Sequence, residues 1–228
     1  MTAKAKVETR LVNFFSHGIT LLDRPYELAG AAVPDWMSYL DRRVRARRKL
    51  AIEFVEDVDP QVAAVARGIV RHHDDDRTFH GCRAFTELNL EFTVQIRDRV
   101  PPDESMRPSF VGHILVELLL DSYLHQSYPG RLDRYYQALR SVNPATVESA
   151  VNRMATGKTD KLAKLIPRFI EERFLYDYDD DQQLLRRINQ VMKRVGLDLL
   201  PDDMAEYFAI ARGRVVERSE ELLPWPIT

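Results

Sequence analysis

Residues 110–125 read FVGHILVELLLDSYLH, and this stretch decides the fold class of the chain. It is apolar around most of a helical circumference, yet His113, Glu117 and Asp121 recur at every fourth position. That spacing places three polar side chains on one narrow stripe of an otherwise apolar helix. The stretch therefore predicts a core helix from about residue 110 to about residue 128, where a Pro-Gly pair follows.

Helical periodicity continues on both sides of this stretch. The apolar residues of 62–69 follow the i, i+3, i+4, i+7 rule behind Asp59 and Pro60, which suit an N-cap and a first helical turn. Strand signals are scarce, since no Asn-Gly or Asp-Gly turn joins two apolar runs. We predict further helices at about 60–80, 132–142, 145–155, 159–175, 180–195 and 201–222, with the acidic run 179–181 capping or preceding a helix and with loops near 24–34 and 99–108.

The composition is that of a globular protein. The 228 residues are 45% hydrophobic and 30% charged, with a net charge of -2, which does not favour a helical nucleic-acid binder. One cysteine excludes an intrachain disulfide, and the first ten residues lack the apolar core of a signal peptide. We expect one all-α domain over residues 1–228, cytoplasmic and without a membrane span, with the site in about 10–130 and further helices in about 131–228.

The helix predicted at 60–80 continues its apolar face with polar groups. Steps of three or four residues lead from the apolar stripe to His72 or His73, then to Asp76 and His80. The spacing of His72 and Asp76 lets one metal ion collect both side chains. The alternative is that the helix ends near His73 and that HHDDDR is a solvated, capped terminus.

The polar stripe at 110–125 offers only side chains that can bind a metal or carry a proton. A water-facing stripe on such a helix would usually recruit Lys or Arg, and this one contains neither. We interpret Asp121 as a metal ligand, and His113 and Glu117, together with His73, as candidates for proton transfer. The alternatives are a thin exposed strip, or a His113 satisfied by a hydrogen bond in the core.

The N-terminal segment adds two further candidate ligands. His17 lies between apolar runs, and Asp35 follows a proline in a stretch predicted to be a loop of small residues. Additional N or O donors are what an octahedral Mn, Mg or Fe site requires. Such an ion would activate water and neutralise a phosphoryl group, so the hypothesis is metal-assisted hydrolysis without a covalent nucleophile.

A basic cluster occupies residues 42–49. It could contact a phosphate or an acidic protein partner, and the alternative is a solvated helix face. The candidate substrate or partner contacts are Arg45, Arg48, Arg77 and His80.

Four stretches in order, NFFSHGITLLD, LAGAAVPDW, VARGIVRHHDDDRTFH and GHILVELLLDSYL, resemble the acyl carrier protein phosphodiesterase family. The late segment RFIEERFLYDYDDDQQLLRRINQVM also fits its C-terminal helices. The resemblance implies an all-helical fold like that of the HD-type metal phosphohydrolases. It also implies hydrolysis of the phosphodiester between phosphopantetheine and a serine of acyl carrier protein, with Mn as the favoured metal and Mg, Fe or Zn as alternatives.

Residue by residue, the resemblance implies a ligand set, and the chain departs from the family pattern at Ser122, at His80 and at Glu117, which stands where the family tends to have Asp. The positions that match the family's metal-site residues are His17, Asp35, His72, Asp76 and Asp121. Ser122 stands where the family usually has His, and His80 where an Asp is expected. The substrate could therefore be acyl carrier protein or another phosphorylated ligand, and the alternative function is a catalytically inert helical module that binds a protein partner.

Overall fold

A computed structural model describes residues 13–100 and 106–223, and these residues are predominantly helical. The α-helices, in chain order, are α1 (Phe14–Gly18), α2 (Pro25–Leu40), α3 (Arg48–Ala51), α4 (Pro60–Gly81), α5 (Arg83–Arg97), α6 (Pro108–Ser127), α7 (Arg131–Arg140), α8 (Pro144–Met154), α9 (Leu162–Glu172), α10 (Asp181–Val195), α11 (Met204–Glu217) and α12 (Ser219–Leu222). Two 3₁₀ segments, Ile52–Phe54 and Phe174–Asp179, follow α3 and α9. Within the described ranges, the only β-type pairing is a bridge between Ala46 and Ala155, so the prediction of an all-α chain is confirmed.

Local capping explains several helix starts. The Asp59 side chain accepts hydrogen bonds from the backbone N–H groups of Gln61 and Val62, and Pro60 occupies the first turn of α4. Asn143 caps α8 in the same way ahead of Pro144. The Asp180 side chain accepts from the N–H of Gln183 at the start of α10, so the predicted capping role of the acidic run is confirmed.

The polar end of α4 is helical. The alternative in which this helix ends near His73 is wrong, because α4 continues to Gly81 and buries His72 and Asp76. The apolar stripe of the helix thus continues into the interior as a polar stripe, as the periodicity predicted.

The loop predicted near 24–34 is wrong. These residues belong to α2, which starts with Pro25 in its first turn and contains Pro34 in its interior. Residues 27–37 are all buried, so tertiary packing overrides the low helix propensity of the interior proline. Asp35 therefore lies on a buried helix and not in a loop.

Two other helical regions differ from the prediction. No helix was predicted at residues 83–97, where α5 buries Ala84, Phe85, Leu88, Phe92 and Ile96. The helix predicted at 201–222 is divided at Arg218 into α11 and α12. The loop predicted near 99–108 falls partly on residues 101–105, which lie outside the described residues.

Glycines allow α2 and α4 to approach closely. A Cβ atom on Gly68 would lie 2.0 Å from the carbonyl oxygen of Glu27, and one on Gly30 would lie 2.3 Å from that of Val65. Both neighbours are backbone atoms, so no side-chain rotation could relieve the overlap. This contact fixes the spacing between Asp35 on α2 and His72 on α4.

Helix α6 lies at the centre of the molecule. It packs against α5, α11, α1 and the second 3₁₀ segment, and most of its residues between 111 and 124 are buried. The buried apolar side chains form one continuous cluster that extends from Phe14 to Leu222. Glu117 and Asp121 of the polar stripe are thereby buried, and the stripe lies opposite the polar end of α4.

Candidate metal centre

Two imidazoles and one carboxylate converge where α1 meets α4. The Nε2 atom of His17 lies 3.4 Å from Asp76 Oδ1, and the Nε2 atom of His72 lies 3.6 Å from Asp76 Oδ2. The two imidazole rings are 4.3 Å apart between centroids. His17 and His72 are each 1% exposed and Asp76 is 4% exposed, so this cluster is closed to bulk solvent.

The spacing of the cluster suits one bound cation. One donor atom from each of its three residues lies within 4.8 Å of the others. Donors that each lie about 2.1 Å from one ion are separated by about 3 to 4 Å. Among the described residues, neither ring nitrogen of the buried His17 has a hydrogen-bond partner. A buried imidazole without such a partner is costly, and a metal ion would satisfy it.

Charge balance at His17 also favours a cation. Burial by itself lowers the pKa of the His17 imidazole, but the carboxylates of Asp75, Asp76 and Asp35 outweigh it and raise that pKa to about 10. The carboxylates therefore demand a positive charge at this position, which a proton or a metal ion can supply.

Asp75 is a member of the site that the sequence analysis missed. Its Oδ2 atom lies 3.6 Å from His17 Nδ1 and 3.4 Å from the Nε atom of Arg71. Arg71 also donates a hydrogen bond to the Thr20 hydroxyl, which ties α4 to the segment after α1. Asp75 lies next to the predicted polar stripe on α4 and not on it. In the sequence, only its place in the acidic run Asp74-Asp75-Asp76 marked it as a candidate site residue.

The structure places Asp121, a predicted metal ligand, against the backbone of α1. Its two carboxylate oxygens accept hydrogen bonds from the backbone N–H groups of Phe15 and Ser16, at 2.9 and 2.7 Å. Burial raises the pKa of Asp121 to about 7, although these two hydrogen bonds oppose the shift. Asp121 thus anchors the short helix that carries His17, and we assign it to positioning.

Asp35 lies beside the cluster at a longer distance. Its Oδ2 atom is 4.0 Å from His72 Nδ1, and the residue also lines a large cavity. Asp35 therefore lies between the His17 cluster and this cavity.

A second group of ligand-type side chains lies one turn further along α4. The Nε2 atoms of His80 and His113 lie 3.0 and 3.2 Å from the same oxygen, Glu117 Oε1. The structure therefore brings His113 and Glu117 together with His80, and it places all three apart from the His17 cluster.

His73 lies at the edge of the His17 cluster, and the predicted arginine contacts pair elsewhere. The His73 ring packs edge-on against that of His72 with centroids 5.3 Å apart, and its Nε2 atom lies 2.7 Å from the carbonyl oxygen of Ala46. Arg48 and Arg77 both pair with Asp74, and Arg45 donates to the Ser38 hydroxyl. The solvated helix face proposed for residues 42–49 is also wrong, because only residues from 48 onward are helical there.

A cavity of about 640 Å³ opens beside Asp35. Its apolar wall includes Phe14, Trp36, Ile114, Leu118 and Phe169. Its cations come from α9, α10 and the residue before α9, namely Lys161, Lys164, Arg168, Arg187 and Arg194. Residues 131–228, which were not predicted to form part of the site, thus supply the charged rim of the cavity.

Ser122, which stands where the family resembled in sequence usually has His, belongs to a polar network between helices. The buried Ser122 hydroxyl donates to Asp179 at 2.6 Å and accepts from Arg212 at 2.5 Å. Asp179 also contacts His125, so α6 is joined to α11 and to the second 3₁₀ segment by a polar network. Ser122 takes part in this network and does not contact the His17 cluster.

Comparisons with protein-family models, with curated proteins and with solved structures gave no match. Across residues 13–100 and 106–223, no helix combines the length and the apolar character that a bilayer span needs.

Proposed function

We propose that this protein is a divalent-metal-dependent phosphoester hydrolase. The observation that carries the proposal is the convergence of His17, His72 and Asp76, from two separate helices, at a spacing that suits one ion. When bound, the ion would supply an activated water and neutralise charge on a phosphoryl group.

The residues around the cluster have separable tasks. Asp121 holds α1, and therefore His17, against α6. Asp35 lies between His72 and the cavity, where it can orient the substrate or accept a proton. Phe14 and Trp36 form an apolar wall that excludes water from this side of the cavity.

The cavity supports a substrate that carries both an anion and an apolar or extended group. Among the described residues, Lys161, Lys164 and Arg168 form no ion pair with a protein carboxylate, so their charges are available to a ligand. Together with the motif resemblance, this favours phosphopantetheine attached to an acidic carrier protein as the substrate and Mn²⁺ as the ion. The phosphate would lie at the Asp35 end of the cavity, toward the ion, the arm would lie along the apolar wall, and the cationic rim would contact the acidic carrier protein.

The test compares wild-type protein with Asp76→Asn after removal of metal by a chelator. With Mn²⁺ restored, we expect the wild type to bind the ion and to hydrolyse bis(p-nitrophenyl) phosphate and phosphopantetheinylated carrier protein. We expect Asp76→Asn to lose more than about 100-fold in turnover, because loss of an outer-shell partner alone typically costs 10–100-fold. His125→Gln, a histidine variant outside the cluster, is the matched control.

The opposite result would favour the inert binding module. If the wild type bound no Mn²⁺, Mg²⁺, Fe²⁺ or Zn²⁺, and Asp76→Asn retained stability and carrier-protein binding, the hydrolase proposal would be rejected.

A further inference from the structure

The second group of ligand-type side chains joins two helices. His80 lies in the last turn of α4, and His113 and Glu117 lie one turn apart on α6. Asp76 and His80 are separated by four residues, which is a rise of about 6 Å along α4. The group is therefore adjacent to the His17 cluster but uses none of its residues.

The donor atoms of this group are already gathered. One donor from each of His80, His113 and Glu117 lies within 4.8 Å of the others. The imidazole rings of His80 and His113 are stacked with centroids 4.8 Å apart, and Phe85 packs edge-on against both. The aromatic contacts hold the two rings in place, so little side-chain freedom would be lost when a ligand binds.

The buried carboxylate provides an independent reason to expect a ligand. The Glu117 side chain is 3% exposed. Its Oε1 atom faces the two imidazoles, whereas its Oε2 atom is buried and has no hydrogen-bond partner among the described residues. A buried carboxylate oxygen in this state is costly, and a cation that binds Glu117 would relieve the cost.

We propose that His80, His113 and Glu117 form a second divalent-metal site, with Zn²⁺ as the preferred ion. Two imidazoles and one carboxylate are the three protein ligands of a known type of open zinc site. His80 and His113 are 24% and 32% exposed at their side chains, so water can reach a fourth coordination position. The ion would link the last turn of α4 to α6. This proposal does not depend on the hydrolase proposal, because it concerns different residues.

The experiment counts zinc in the full chain after chelation and dialysis against Zn²⁺. Wild-type protein should bind one equivalent more than His80→Gln/His113→Gln, whether or not the His17 cluster also binds zinc. His17→Gln/His72→Gln should retain the equivalent at the second site, so failure of one site is distinguishable from failure of the other. His125→Gln is the control for the loss of a histidine elsewhere, and far-UV circular dichroism checks folding.

Cobalt substitution gives a readout that does not depend on counting. In the His17→Gln/His72→Gln background, added Co²⁺ should produce visible absorption bands, and a further Glu117→Gln change should abolish them. If His80→Gln/His113→Gln does not fold, this single carboxylate change provides the test. The proposal is overturned if the second-site variants bind as much metal as their parents. It is also overturned if wild-type protein binds no Zn²⁺ beyond the His17 cluster. In either case the three side chains would form only a hydrogen-bonded network.

Discussion

At the residue scale, the His17 imidazole has a strongly raised pKa. The imidazole is buried, Asp35, Asp75 and Asp76 surround it, and the tilted ring of His72 lies 4.3 Å away between centroids. In metal-free protein, a proton can take the place of the ion. The folded protein therefore binds this proton more tightly than the unfolded chain does.

This difference predicts a pH-dependent stability for metal-free protein. The folded pKa of about 10 lies above the ordinary imidazole pKa of 6.5, so the stabilisation is fully present below about pH 6.5 and is lost as the pH rises toward 10. We expect chelated wild type to exceed His17→Gln in free energy of unfolding by more at about pH 6 than at about pH 10, by on the order of a few kcal/mol. Urea unfolding at the two pH values measures this difference in free energy of unfolding. An equal difference between wild type and His17→Gln at both pH values would contradict the raised pKa of His17.

Asp121 permits a second test at the same scale. A positioning residue and a metal ligand differ in how much metal binding is lost when the residue is substituted. We expect Asp121→Asn to bind Mn²⁺ at the same final stoichiometry but about 10-fold more weakly, as for an outer-shell residue. Asp76→Asn should instead lose the bound ion. Isothermal titration of both variants decides between the roles, and loss of stoichiometry in Asp121→Asn would restore Asp121 to the ligand set.

At the element scale, the close approach of α2 and α4 determines the geometry of the site. Gly68 allows the backbones to touch, and the same contact brings Asp35 toward His72. Side chains on these two helices can be rearranged, but their backbones cannot interpenetrate.

We expect Gly68→Ala to lower the free energy of unfolding by at least about 1–3 kcal/mol, because the added methyl group must push the helices apart. It should also weaken metal binding at the His17 cluster. The matched control is Gly213→Ala in α11, where an added Cβ meets no atom within 4 Å. That change should leave stability unchanged or raise it by up to about 1 kcal/mol. Equal effects of the two substitutions in urea unfolding would contradict this account.

At the scale of the whole molecule, the cavity combines parts from distant regions of the chain. Its apolar wall comes largely from α1, α2 and α6, and its cations come from α9, α10 and Lys161 just before α9. A charged rim accelerates the encounter with an anionic ligand and makes it sensitive to salt.

We expect Lys164→Gln/Arg168→Gln to raise KM for phosphopantetheinylated carrier protein by roughly 10-fold and to reduce its salt dependence, with little change in kcat. The matched control is Arg97→Gln/Arg140→Gln, which also removes two cations from exposed positions but does not alter the cavity. Steady-state kinetics at low and moderate salt provide the measurement. A similar rise in KM for both double variants would indicate a general charge effect.

Local sequence determined much of this protein. Capping residues and apolar periodicity were sufficient to predict the starts of α4, α8 and α10, and the spacing of His72 and Asp76 predicted their shared buried face. These features depend on residues within a few turns of one another. The helix at 83–97 also carries such a pattern, and the sequence analysis overlooked it.

Tertiary structure decided the rest, because it depends on contacts between residues distant in the chain. The burial that makes α2 helical despite Pro34, the hydrogen bonds from α1 to Asp121, and the pairing of His80 with Glu117 all join separate elements. Sequence spacing indicates which face of a helix a side chain occupies, but only packing determines what that face meets. For this reason the sequence predicted His17, His72 and Asp76 as ligands but assigned other roles to His80, His113 and Glu117, and only the structure grouped these side chains into two clusters.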